Sequence, residues 1–122
     1  MSNRRAVRRL VVPDATWLWS VRHACRPCSE TVSLHRDGAE TLRIVFSEGP
    51  GRFVPEYMGH TGSVGDGEST LNLNEPGVVR RLLDEATARG ARETGRRETV
   101  LDGWLLFDAV VRADPRVGDR RE

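Results

Sequence analysis

Apolar residues recur at helical spacing between residues 74 and 90, and this is the clearest pattern in the chain. Charged side chains occupy the opposite arc, so the segment has one face to bury against another layer. We expect that layer to be a sheet formed by the rest of the chain. The apolar positions are Val79, Leu82, Leu83 and Ala86.

Both ends of this segment carry helix signals. Asn74 suits the N-cap, and the acidic Glu75 and the proline Pro76 that follow it suit a first turn. Gly90 suits the left-handed position at which many helices end. The sequence therefore predicts a helix over residues 75–89.

Five segments have the apolar and polar pattern of β-strands. The second carries Trp17 and Trp19 on the same face as Val21 and His23. Because alternate large aromatics on a strand usually pack in a core, we expect core packing here rather than a stacking platform for bases or sugars. The predicted strands cover residues 6–12, 16–23, 30–36, 40–46 and 98–101.

The third and fourth strands are expected to form a hairpin with their apolar residues on one face. These residues are all even numbered, so the connecting loop must have an odd length. We predict a three-residue loop over residues 36–38, with Gly38 in the left-handed conformation. The shared face would contain Val32, Leu34, Leu42, Ile44 and Phe46.

The segment 103–113 is predicted to be a second helix rather than a strand after a hairpin turn. Asp102 is placed to cap it, and Asp108 is four positions before Arg112. A strand would place Asp108 in the middle of an apolar run. The apolar positions at helical spacing are Trp104, Phe107 and Val111.

Together these elements predict an α+β fold, with a mainly antiparallel sheet of four to five strands and one or two helices packed on one face. A chain of 122 residues is long enough to form one core without disulfides or a metal. We expect a single domain over residues 1–122, with flexible ends at 1–5 and 116–122.

The charge balance argues against a nucleic-acid partner. All 19 basic residues are arginines, and 18 acidic residues leave a net charge of +1. We interpret the absence of lysine as the mark of a GC-rich bacterial genome, so arginine clusters carry little weight. No signal peptide and no run of 18 apolar residues is present, so we expect a cytoplasmic protein without a membrane partner. The discounted basic clusters are Arg4, Arg5, Arg8 and Arg9, and Arg96 and Arg97.

Residues 47–73 contain half of the twelve glycines in the chain. Their glycines match no phosphate-binding fingerprint, and residues 53–55 give the only hint of a further strand. We interpret the segment as a long surface loop, which in a compact domain is either flexible or functional. His60, Ser63 and Asp66 are too close in sequence to be a convincing catalytic triad. The candidate ligand- or partner-binding residues are Arg52, Tyr57, His60, Ser63 and Asp66.

His23, Cys25 and Cys28 are candidate zinc ligands at the end of the second strand. Zinc prefers four ligands, and a second Cys or His pair at defined spacing is missing. A thioredoxin-type redox role would require the first cysteine at a helix N-terminus. We therefore predict no bound cofactor and two reduced cysteines.

These observations favour a non-catalytic interaction or accessory module whose partner is another protein. Its binding surface would include residues 47–73. Two alternatives stay open: a zinc-binding protein that uses His23, Cys25 and Cys28, and a small enzyme or ligand-binding domain with its site near His60. The sequence does not identify the partner, the substrate or the oligomeric state.

Overall fold

The chain folds into a five-stranded sheet with two helices on one face, which confirms the α+β prediction. The computed structural model describes residues 7–13, 15–24, 28–36, 40–55, 62–93 and 95–113. In chain order, its strands and helices are β1 (Arg8–Val12), β2 (Ala15–Ala24), β3 (Ser29–Arg36), β4 (Thr41–Ser47), β5 (Ser63–Gly65), β6 (Thr70–Asn72), α1 (Pro76–Ala88), β7 (Glu98–Asp102) and α2 (Gly103–Ala113). A 3-10 turn, Ala91–Glu93, follows α1.

The large sheet has the strand order β1-β2-β3-β4-β7. Strands β1 to β4 pair antiparallel with their sequence neighbours. Strand β7 pairs parallel to β4, and a parallel pair needs a long crossover connection, which here contains α1. The two edge strands are therefore β1 and β7.

One face of the sheet is covered and the other is open. The tryptophans of β2 lie on the covered face and are almost fully buried, as predicted. The hairpin prediction is also correct for the shared face, because Val32 pairs with Ile44 and Leu34 pairs with Leu42. The other buried residues of this face include Leu10, Val12, Trp17, Trp19 and Phe46.

The predicted position of the hairpin loop was wrong by one residue. Arg36 is the last residue of β3, and its backbone N–H donates to the carbonyl of Glu40 at 2.9 Å. The strands are therefore connected through residues 37–39 rather than 36–38. Both loops have three residues and place the same apolar side chains on one face of the sheet. The apolar pattern alone therefore did not distinguish them. Gly38 lies outside the described residues.

Helix α1 buries the predicted stripe and ends as predicted, because Gly90 has a φ of 83° and its N–H donates to Thr87 at 3.0 Å. The predicted N-cap was wrong. Glu75 occupies that position and makes no side-chain cap bond. Asn72 instead forms the turn before the helix, because its side chain accepts the N–H of Asn74 at 2.9 Å.

Helix α2 confirms the helical interpretation of residues 103–113. The side chain of Asp102 accepts the backbone N–H of Trp104 at 3.0 Å, as expected of a cap. The prediction that Asp108 pairs with Arg112 was wrong, because Asp108 binds Arg52 from a distant part of the chain.

Part of residues 47–73 belongs to regular structure, which the prediction of a long surface loop did not include. Strands β5 and β6 form an antiparallel hairpin in which Val64 faces Leu71, and both side chains are buried. The sequence carried a signal for this hairpin, since Asp66-Gly67 is a typical turn dipeptide between apolar positions. Strands of three residues were too short to show a convincing alternation.

No helix in the described part of the chain is long and apolar enough to cross a membrane. The terminal segments 1–5 and 116–122, which we expect to be flexible, lie outside the described residues.

Candidate functional site

The candidate site lies on a small unit that we call the glycine-rich lobe, residues 48–55 together with residues 62–73. Its first part reverses direction through Gly49-Pro50-Gly51-Arg52. Gly49 and Arg52 exchange two backbone hydrogen bonds, of 3.1 and 2.9 Å. Gly51 has a φ of 72°, which together with the preceding proline is the pattern of a type II turn. The turn therefore fixes the backbone from which the next residues project.

Arg52 clamps the lobe to α2. Its guanidinium nitrogens donate to the two carboxylate oxygens of Asp108 at 3.0 and 2.9 Å, and its guanidinium carbon lies 4.8 Å from the ring centre of Trp104. The hydrogen bonds with Asp108 raise the pKa of Arg52 against the opposing effect of partial burial. Since its main contacts are internal, Arg52 supports the site rather than offering a free cation to a ligand.

Phe53 follows Arg52 in the chain, and its side chain is exposed to solvent. Its side chain is 55% exposed, although its backbone is held by two hydrogen bonds with Gly65, of 2.8 and 3.1 Å. Gly67 lies against the ring, because a Cβ built on it would be 3.6 Å from a ring carbon. A groove of about 610 Å³ borders the ring. It is lined by Glu48, Gly49, Arg52, Phe53, Val54 and Pro55.

In the second part of the lobe, the candidate residue Asp66 has a structural role. Asp66 forms the turn between β5 and β6, because its side chain accepts the N–H groups of Glu68 and Ser69 at 2.9 and 2.8 Å. Burial disfavours its charged form, but these hydrogen bonds hold the pKa of Asp66 below its ordinary value. The turn is therefore stabilised above a pH of about 4 and loses that stabilisation at lower pH. Ser63 is half-buried in β5.

The structure brings together only part of the predicted binding set. Arg52 and Asp66 are near enough for their charges to interact, since Arg52 contributes to the lowered pKa of Asp66. Tyr57 and His60 lie outside the described residues, so the site near His60 stays a prediction. Phe53 was not among the predicted binding residues, because its exposure depends on which distant residues cover it.

Two of the three predicted zinc ligands, His23 and Cys28, are among the described residues, and both are bound to other groups. His23 Nδ1 lies 2.6 Å from a carboxylate oxygen of the buried Glu30. Cys28 is buried and disulfide-bonded, so our prediction of a reduced, accessible thiol was wrong for this residue. Chain size determines whether a fold needs a disulfide, but it does not prevent one at a hairpin end. The only other cysteine, Cys25, lies outside the described residues.

A disulfide-bonded sulfur does not act as a thiolate ligand to zinc. Within the described ranges, no group of three or more His, Cys, Asp or Glu side chains is placed to hold a metal ion. That the purified protein contains no stoichiometric zinc stays a prediction. Disulfides are rare in reducing compartments, so the disulfide of Cys28 weighs against the expected cytoplasmic location, which stays a prediction.

We expect the denatured but unreduced protein to take up no iodoacetamide, because Cys28 is disulfide-bonded and the chain has two cysteines. After reduction, the same protein should take up two equivalents. Intact-mass spectrometry measures both states, and the reduced sample is the control for complete alkylation. Double alkylation without reductant would show that the cysteines are free thiols.

The described residues also disfavour a base-stacking surface. Trp17 and Trp19 are buried on the covered face of the sheet, and Trp104 is buried where α2 packs against Phe46 of β4. Arg8 is held at the covered side, where it donates to the carbonyl of Asn74 at 2.6 Å and lies 4.7 Å from the ring centre of Trp19. The open face of the sheet carries no Phe, Tyr or Trp in any of its described strands.

No protein-family model, no curated protein and no solved structure matches this chain.

Proposed function

We propose that this protein is a non-catalytic interaction module that docks another protein through Phe53 on the glycine-rich lobe. The observation that supports the proposal is an exposed aromatic side chain on a backbone fixed from both sides. The Gly49–Arg52 turn fixes the backbone before Phe53. The backbone hydrogen bonds between Phe53 and Gly65 fix Phe53 itself.

A rigid aromatic is an efficient anchor for binding. Burying a phenylalanine side chain stabilises a complex by roughly 1.5–3 kcal/mol, and little backbone freedom is lost when the backbone is already fixed. Aromatic residues and arginine are enriched in the centres of protein interfaces. Phe53 is such an aromatic residue, and Arg52 supports it through its two hydrogen bonds to Asp108.

The direction of the ring favours a protein partner over a small ligand. Small-molecule sites surround most of the ligand surface with the protein, whereas Phe53 projects outward beside an open groove. Such a ring fits into an apolar socket on a partner. The groove beside it would receive the rim of that socket.

Site-specific photo-crosslinking tests the location of the surface. A benzophenone amino acid replaces Phe53 in one sample and Leu105 in the other, because Leu105 lies on α2 and has a matching exposure of 56%. Both proteins are irradiated in an extract of the source cells, and cross-linked products are identified by mass spectrometry. We expect a discrete product from position 53 that excess unlabelled protein suppresses.

We expect Phe53→Ala to weaken binding of the purified partner by at least about tenfold, because the anchor is lost. Leu105→Ala should stay within about twofold, since this residue does not line the groove beside Phe53. Isothermal calorimetry measures both, and unchanged melting temperatures show that the fold is intact. Wild-type affinity in Phe53→Ala, or capture from position 105 alone, would rule out the Phe53 surface.

A further inference from the structure

An apolar patch surrounds a single arginine at the β1 edge of the sheet. The chain has six exposed large hydrophobic residues in its described part, and three of them, Val7, Val11 and Leu18, occur here. Arg9 pairs with Leu18 across the two strands, and the alternation of β1 puts Val7 and Val11 on the same open face. We call Val7, Arg9, Val11 and Leu18 the β1 patch.

The patch lies beside backbone groups that another strand could pair with. Strand β1 pairs with β2 on its inner side, and no strand of the described residues pairs with its outer side. An edge of this kind presents a row of N–H and C=O groups, which an extended segment from a partner satisfies by strand addition.

The charges of β1 select the kind of segment. Residues 7–13 contain Arg8 and Arg9 and no acidic residue. Arg8 is engaged with Asn74 and Trp19, whereas Arg9 is exposed and makes no ion pair with any described residue. A second copy that paired through its own β1 would add two further arginines and no carboxylate along this edge, which disfavours self-pairing. A segment with carboxylates complements this edge.

We propose that the β1 edge binds an acidic, extended segment of a partner protein by strand addition. Apolar side chains at alternate positions of the segment contact Val7 and Val11, and a carboxylate between them pairs with Arg9. This surface is separate from Phe53. The proposal for the β1 patch can therefore be tested independently of the proposal for Phe53.

The test uses the full chain and two short peptides that differ only in charge. The acidic probe is Ser-Thr-Val-Glu-Glu-Thr-Val-Thr-Ser, and lysines replace its two glutamates in the control peptide. Titrations are followed by amide chemical shifts in heteronuclear NMR at low salt. We expect saturable shifts in β1 and its neighbour β2 with the acidic probe only, and little change in β7.

Variants assign the binding to the patch. We expect Arg9→Glu to weaken the acidic probe at least about tenfold and to favour the lysine peptide, because the charge at the centre is reversed. Val11→Thr should weaken the probe more than Val100→Thr, its matched control. Val11 and Val100 are exposed by 65% and 63%, and Val100 lies on the opposite edge strand β7. Phe53→Ala should bind the probe like the wild type.

Three results would overturn the proposal. The first is equal binding of the acidic and lysine peptides. The second is a set of shifts centred on β7 or on the glycine-rich lobe. The third is a dimer in sedimentation that perturbs β1 without any peptide, because the edge would then be occupied by a second copy.

Discussion

Replacing Trp17 by alanine is expected to lower the free energy of unfolding by about 3–5 kcal/mol. Trp17 is fully buried on the covered face of the sheet. The guanidinium groups of Arg36 and Arg92 lie 5.9 and 5.2 Å from its ring centre, and both arginines bind Glu40. Removing the ring therefore leaves a cavity below a charged cluster. Urea denaturation measures the change, and a loss below about 1 kcal/mol would contradict the assigned packing.

Trp17→Phe separates the effect of the ring from the effect of its N–H group. The indole N–H of Trp17 has no hydrogen-bond acceptor in the described structure, and a buried unpaired donor is destabilising by about 1–3 kcal/mol. Removing it offsets part of the lost packing. We expect a net loss below about 1.5 kcal/mol for this variant.

The matched control is Trp104→Phe. Trp104 is slightly less buried than Trp17, but its indole N–H donates to the carbonyl of Ser47 at 2.8 Å. The phenylalanine variant loses this bond and leaves the carbonyl without its donor, so we expect a loss of about 2–3 kcal/mol. If Trp17→Phe proved the more damaging of the two, the N–H group of Trp17 would have an acceptor.

The sequence was informative wherever one residue pattern determined which side of an element is buried. Leu82 and Leu83 marked the buried face of α1, and the even-numbered residues of β3 and β4 marked the covered face of the sheet. These patterns are local, and each extends over several turns or alternations. Their repetition outweighs the preference of any single residue.

The sequence did not predict which charged residues pair when they are far apart in the chain. Asp108 has a suitable local partner in Arg112, yet it binds Arg52, which is 56 positions away. Both pairs satisfy the same charge rule. The choice between them depends on how the glycine-rich lobe packs against α2, and a local pattern carries no information about that packing.

The candidate site was hard to predict for a related reason. Phe46 and Phe53 are both aromatic and lie seven positions apart, but Phe46 is fully buried and Phe53 is exposed. The alternation of β4 explains the burial of Phe46. Phe53 follows a tight turn, so its exposure is set by the turn and by the β5–β6 hairpin. Its glycine-rich surroundings suggested flexibility rather than a fixed aromatic.

The two proposed docking surfaces have different physical bases and should respond differently to salt. Phe53 would bind mainly by burying apolar area, which ionic strength changes little. The β1 patch depends on the attraction between Arg9 and a carboxylate, and exposed charge pairs weaken as salt increases. A partner that uses both surfaces would lose only part of its affinity at high salt.

Gly103→Ala is expected to destabilise the protein by about 1–3 kcal/mol, although alanine is the better helix former. A Cβ at Gly103 would lie 2.7 Å from three atoms of the Phe46 ring. That ring is fully buried, and Trp104 holds it in an edge-to-face contact with ring centres 5.3 Å apart. It therefore has little room to move away from the added methyl group.

Gly77→Ala is the matched control for this clash, because Gly77 also lies in the first turn of a helix and a Cβ there would meet nothing within 4 Å. We expect this variant to be neutral or to stabilise by up to about 1 kcal/mol.

Adding Phe46→Leu to Gly103→Ala should recover part of the loss, so that the double variant is less destabilised than the sum of the two single variants. Thermal unfolding of the wild type and of these four variants measures the changes. Additive losses would mean that the Phe46 ring is not what excludes a side chain at Gly103.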